Sequence, residues 1–203
     1  PRDKALLQQL CYGTLREGPR LQVMLGLLLE KPLREKDRDL QGLLLCGLYQ
    51  LDAMRTPDHA AVAATVGAVR ALKKNWARGL ANAVLRRYLR EREHLAAELS
   101  DAANACHPPW LYDTIKAQWP AQMTAIIAAN NAQPPMTLRV NTLRTQRDDY
   151  IKTLQGKNIE SHPGSISPLA VQLGQPRDVL ELPGFASGLA SVQDEAAQMA
   201  ALL

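Results

Sequence analysis

The stretch Asp37–Met54, DRDLQGLLLCGLYQLDAM, constrains the fold more than any other part of the chain. It is so continuously apolar that, as a helix, it is expected in the centre of a bundle, surrounded by other helices. The flanking segments supply them. Asp3–Arg16 opens on a capping aspartate and places Leu6, Leu7, Leu10 and Leu15 on or near one face. Arg20–Lys31 is a second apolar helix, ended before Pro32, and Thr56–Lys74 is a fourth, with Pro57 near its start. Arg78–Glu93, RGLANAVLRRYLRERE, is the fifth. Short connectors imply antiparallel neighbours, so residues 1–100 are expected to form an all-α bundle.

Beyond the bundle the pattern changes twice. Residues 101–135 hold two short helices bounded by Pro108, Pro109, Pro120 and Pro134, read as a connector. After Pro135, MTLRVN alternates as a strand does, with Thr137, Arg139 and Asn141 opposite Leu138 and Val140. TQRDDYIKTLQGKN is expected to be a helix closed by Gly156, and AVQL and LASVQ are further short strands. This β–α–β–β order makes residues 136–203 a small α+β domain. The chain as a whole is thus mainly α. DEAAQMAALL begins another helix with no terminator, which points to a chain that continues in the natural protein.

Charge is unevenly spread. Residues 1–100 carry 17 Lys/Arg against 11 Asp/Glu, and the remainder 7 against 9, so the balance moves from +6 to −2. A basic first half points to an anionic partner, with nucleic acid the leading candidate; a solvated helical surface is the plain alternative. Aromatic residues make up only 4% of the chain, with Phe185 the single phenylalanine, which argues against aromatic base stacking as the main recognition device. Cys11, Cys46 and Cys106 show no CxxC spacing, so a reducing, cytoplasmic setting without disulfides or zinc is expected. The richest apolar run, Gly42–Leu51, is too short to span a bilayer.

Most motifs carry no chemistry. Gly184–Gly188, GFASG, reads as a turn, because no phosphate-binding glycine pattern surrounds it. His59, His94, His107 and His162 lack metal-ligand spacing. Asp148–Asp149 and Asp194–Glu195 sit where helix N-termini favour negative charge. No catalytic, cofactor-binding or metal-binding residue is assigned. The fifth helix is different. Ala77, Leu80, Ala81, Val84, Leu85 and Tyr88 gather on one side, and Arg78, Asn82, Arg86, Arg87 and Arg90 on the other, with Lys73 and Lys74 just upstream. These seven polar residues are the candidate contacts to RNA phosphates.

Several stretches together resemble a known family. LLQQLCYGTLR, GLYQL followed by PDHAAVAATVGAVR, and GLANAVLRR are similar to the NusB-like domain of the RsmB (Sun/Fmu) family of bacterial 16S ribosomal RNA cytosine-C5 methyltransferases. NNAQPPMTLRVNTLRT and LPGFASGLASVQDEAAQ resemble the segment that follows in that family. The resemblance implies an RNA-binding helical domain, then a small RRM-like domain, then a catalytic domain that uses S-adenosylmethionine. It also implies two catalytic cysteines in Pro-Cys and Thr-Cys contexts. Cys11 follows Leu10, Cys46 follows Leu45 and Cys106 follows Ala105, so none matches. The expectation is a portion that binds ribosomal RNA but neither binds the cofactor nor methylates, with no membrane or metal partner. A NusB-type antitermination module and a protein-interaction scaffold are the other two readings.

Overall fold

A computed structural model describes residues 2–200, which divide into two compact units between Ala132 and Gln133. The first holds α1 (Arg2–Arg16), α2 (Gly18–Leu28), α3 (Arg38–Ala53), α4 (Asp58–Ala68), α5 (Arg78–Glu98), α6 (Asp101–Asn104), α7 (Pro109–Gln118) and α8 (Met123–Asn131). As its composition requires, α3 is central and packs against α1, α2, α4 and α5. Leu40, Leu44 and Leu48 are completely buried, and Leu21 of α2 and Leu85 and Tyr88 of α5 close around them. The helices approach closely at Gly47, where an added Cβ would lie 2.9 Å from Thr65 and 3.1 Å from Leu85.

The first helix differs from expectation. Leu6, Leu7 and Leu15 are exposed and only Leu10 is partly covered. Contact with α3 runs instead through Gly13, which lies against the Tyr49 ring, and Thr14, whose hydroxyl donates to Cys46 Sγ at 3.7 Å. Small residues let two backbones approach where leucines would hold them apart, and that outweighs the apolar count.

In the second unit β1 (Thr137–Val140), β2 (Ser161–Pro163), β3 (Ala170–Leu173) and β4 (Ala190–Val192) form an antiparallel sheet in the order β2-β3-β1-β4. Helix α9 (Arg147–Gln155) buries Tyr150, Ile151 and Leu154 against Leu138, Val140, Val171 and Leu173. The link from β3 to β4 holds only a single 3-10 turn, Val179–Glu181. One sequence expectation needs correction, and another, the helix closing at Gly156, is met with a different geometry. The strand Ser161–Pro163 adds to the expected set: it contains a proline and no hydrophobic alternation, and exists because it pairs with β3. Gly156 is in ordinary right-handed geometry, and the left-handed residue that turns the chain is Asn158, at φ 57°. Gly184 and Gly188, both at positive φ, confirm GFASG as a turn.

Helix α10 (Glu195–Met199) follows β4 directly, capped by Asp194, whose side chain accepts from Ala197 N at 2.9 Å. The Glu195 carboxylate turns back and accepts backbone N–H groups from Ser165 (3.3 Å), Ile166 (2.8 Å) and Ser167 (2.9 Å). Gln198 donates to Leu138 O and Gln193 O and accepts from Ser167 Oγ. Thr137, placed on the polar side of the strand, is buried.

Candidate nucleic-acid interface

Helix α5 presents a continuous apolar stripe, with Ala81, Leu85 and Tyr88 wholly buried. Its polar face is anchored from several directions, and the anchors separate the basic residues into two kinds. Lys74 belongs to the first kind. It lies outside both helices, because α4 stops at Ala68 and the chain turns through Lys73 at φ 55°. Its ammonium donates to Asp37 Oδ1 and Asp39 Oδ1, each at 2.7 Å, and to Lys36 O at 2.9 Å. Hydrogen bonding to Lys74 holds both carboxyls below the usual aspartate range, and the two carboxylates raise the lysine.

Arg87 is similarly engaged. It donates to Glu91 at 2.8 Å and to the carbonyls of Leu27 and Leu28 at 3.3 Å, satisfying the C-terminal end of α2. Arg92 does the same for α3 through Leu51 O at 3.0 Å and lies over the Tyr88 ring, 5.3 Å from its centroid. Below them Asp52 accepts from Tyr88 Oη at 2.5 Å and pairs with Arg20 at 2.7 Å, tying α2, α3 and α5 together. Burial, then the Asp52 hydrogen bond, pushes the Tyr88 phenol far above its ordinary value.

The second kind is free. Arg78, Arg86 and Arg90 are exposed, and among the described residues none has an acidic partner. Arg86 Nε donates to Asn82 Oδ1 at 3.0 Å, which stiffens both side chains. Arg78, Asn82, Arg86 and Arg90 recur every four residues, about 6 Å apart along the axis. Together they form a gently winding row about 18 Å long. Lys73 is exposed at its upstream end. Of the seven candidates the fold thus gathers Arg78, Asn82, Arg86 and Arg90 on one face, sets Lys73 beyond it, and gives Lys74 and Arg87 intramolecular partners. One signal for this face lies in the sequence itself: no acidic residue occurs from His59 through Arg90, a stretch with seven Lys/Arg.

The rest of the molecule offers less. The side of the sheet away from α9 carries Arg139, His162, Gln172 and Ser191 together with the buried Thr137 and Ala170, and no aromatic residue on its strands. The Gly184–Gly188 turn closes on itself: Leu189 fills the space beside Gly184, and Arg144 donates to Ser187 O at 2.9 Å. All three cysteines are free, and burial, followed by the Glu17 carboxylate, pushes the Cys106 thiol up, away from thiolate chemistry. Among the described residues no cluster of His, Cys, Asp or Glu could hold a metal, and no helix is long and apolar enough to cross a membrane.

The bundle and sheet fall into two recognised classes. Residues 1–90, covering α1 to most of α5, match the NusB family, and residues 107–180 match the Methyltr_RsmF/B-like, ferredoxin-like domain. The latter begins ahead of α7, whereas the compact units divide after Ala132. The difference lies in α7 and α8, and α8 is tied back to the first unit by Asn130, within 3.0 Å of His107 Nε2, and Asn131, which donates to Ala105 O at 2.9 Å. The fold is also shared with the crystal structure of PH0851, at a TM-score of 0.60 and 14% identity over 80% of this chain and 38% of that one.

The chain belongs to the ribosomal RNA small subunit methyltransferase B family. It is 49% identical to the protein of that name from Pseudomonas syringae pv. tomato and 50% identical to that from Pseudomonas putida, over 98% of its own length in both. A probable member from Coxiella burnetii is 44% identical over the whole chain. The chain spans about half the length of these relatives, 45% to 47%.

Proposed function

We propose that this chain is the RNA-binding N-terminal portion of a cytoplasmic, S-adenosylmethionine-dependent methyltransferase acting on cytosine C5 of 16S ribosomal RNA. On this reading α5 holds RNA phosphates through Arg78, Arg86 and Arg90, with Asn82 and Lys73 as further donors. One observation carries it: the three arginines of α5 that lack intramolecular acidic partners share the solvent face of one helix, within a stretch free of acids. Lys74 and Arg87 act from behind, fixing the turn and the bundle against which that face is held. A guanidinium row suits the sugar–phosphate backbone of folded RNA, where register is set by phosphate contacts. A free-standing NusB-type module would not call for the ferredoxin-like domain that follows.

The test is titration of the chain with a 16S ribosomal RNA fragment at several salt concentrations. Binding should weaken steeply with salt, because each neutralised phosphate releases counterions. No binding, or salt-independent binding, would overturn the proposal. No residue of this chain is assigned to S-adenosylmethionine on this reading; in its glycine-rich turn the space beside Gly184 is taken by Leu189. The chain should neither bind that cofactor nor methylate RNA, and stoichiometric cofactor binding in a calorimeter would contradict this.

A further inference from the structure

The free arginines account for phosphates but not for Trp76. This residue lies in the single 3-10 turn Asn75–Ala77 that leads into α5, with 58% of its surface exposed. Its exposure is enforced on both sides. Lys74 is pinned to Asp37 and Asp39, and Ala77 is fully buried, its N–H donating to Lys74 O at 2.8 Å. The turn therefore cannot roll the indole into the core without releasing one anchor or the other. Exposed cations stand beside it in the chain, Lys73 in left-handed geometry and Arg78 at the head of the arginine row.

We infer that Trp76 is a single-nucleotide stacking platform at the upstream end of the α5 face, so the RNA recognised is a helix bordered by an unpaired base. The inference rests on the phosphate-binding reading of α5 and adds the class of RNA. An indole has an apolar face for any base, and flanking cations hold that nucleotide's phosphates. A protein partner would need an acidic surface with an apolar notch in it; an unpaired nucleotide brings both the charge and the ring. One ring without aromatic neighbours on α5 serves one base rather than a single-stranded track.

The experiment uses Trp110→Phe/Trp119→Phe, which leaves Trp76 as the only tryptophan; both replaced side chains are exposed. Two probes are titrated, a short hairpin with an open purine loop and a blunt RNA duplex of equal mass. Hairpin binding should quench Trp76 emission more than duplex binding does. Trp76→Ala should weaken hairpin binding about five- to a hundred-fold, as expected for removal of one stacked base, and leave duplex binding unchanged. Trp76→Phe should recover most of the affinity. If the parent binds RNA but Trp76→Ala binds the hairpin equally well, the stacking role is wrong and the arginine face stands. If the parent binds neither RNA, both fall, and the exposed indole is left to a protein partner.

Discussion

Five arginines on one helix do two different things, and partners rather than position in the sequence decide which. Arg87 and Arg92 complete the carbonyl ends of α2 and α3; Arg78, Arg86 and Arg90 have no such task. Tyr88 shows the cost of the buried polar contacts that hold the helix. Tyr88→Phe removes the donor to Asp52, which is nine-tenths buried, and leaves it with Arg20 alone. The variant should be less stable by about 1.5–3 kcal/mol in denaturant unfolding, the range for hydrogen bonds to charged groups. Glu195 gives a pH prediction. Backbone N–H groups of Ser167, Ile166 and Ser165 hold its carboxyl below the usual glutamate range. It therefore stabilises the second unit above the ordinary glutamate pKa and loses that contribution as pH falls through the lowered, folded-state value. Glu195→Gln should flatten this part of the acid-unfolding profile, and an unchanged profile would show that the carboxylate contributes nothing there.

The helices and strands were legible where apolar pattern and packing agree, and obscured where a distant partner overrides the pattern. The central position of α3 follows from its continuously apolar sequence. Gly47→Ala, which would press a methyl group on Thr65 and Leu85, should cost about 1–3 kcal/mol by overpacking, measured as a lower thermal midpoint with unchanged helicity. By contrast, the leucines of α1 promise a buried face that the structure does not make, because Gly13 and Thr14 carry the contact. Lys73 and Lys74 read as the end of the fourth helix; the pull of Asp37 and Asp39, more than thirty residues earlier, draws the chain into a turn instead. The strand Ser161–Pro163 owes its form to β3. The candidate face on α5 was legible because a helical stripe needs only local periodicity. Which of its cations are free was not, because the carbonyls of Leu27, Leu28 and Leu51 are far away in the chain.

At the scale of the whole molecule, two units with separate cores are joined through Ala132–Pro135, which is exposed and without regular structure. A protease of broad specificity should cut there first, ahead of any site in α3; early cleavage within Leu40–Ala53 would mean that the bundle is not the stable body described. That bundle exists, on this account, to hold a row of guanidinium groups in place. The most direct measurement compares the parent with Arg78→Ala/Arg86→Ala/Arg90→Ala, each titrated with a 16S ribosomal RNA fragment across a salt series, with helicity checked by circular dichroism. All three side chains are exposed, so the fold should survive. The account predicts weaker binding and a log-affinity versus log-salt slope reduced in magnitude by about 0.7–0.9 for each phosphate no longer neutralised. Affinity and slope equal to the parent's would contradict it, and would make the arginine row a solvated surface.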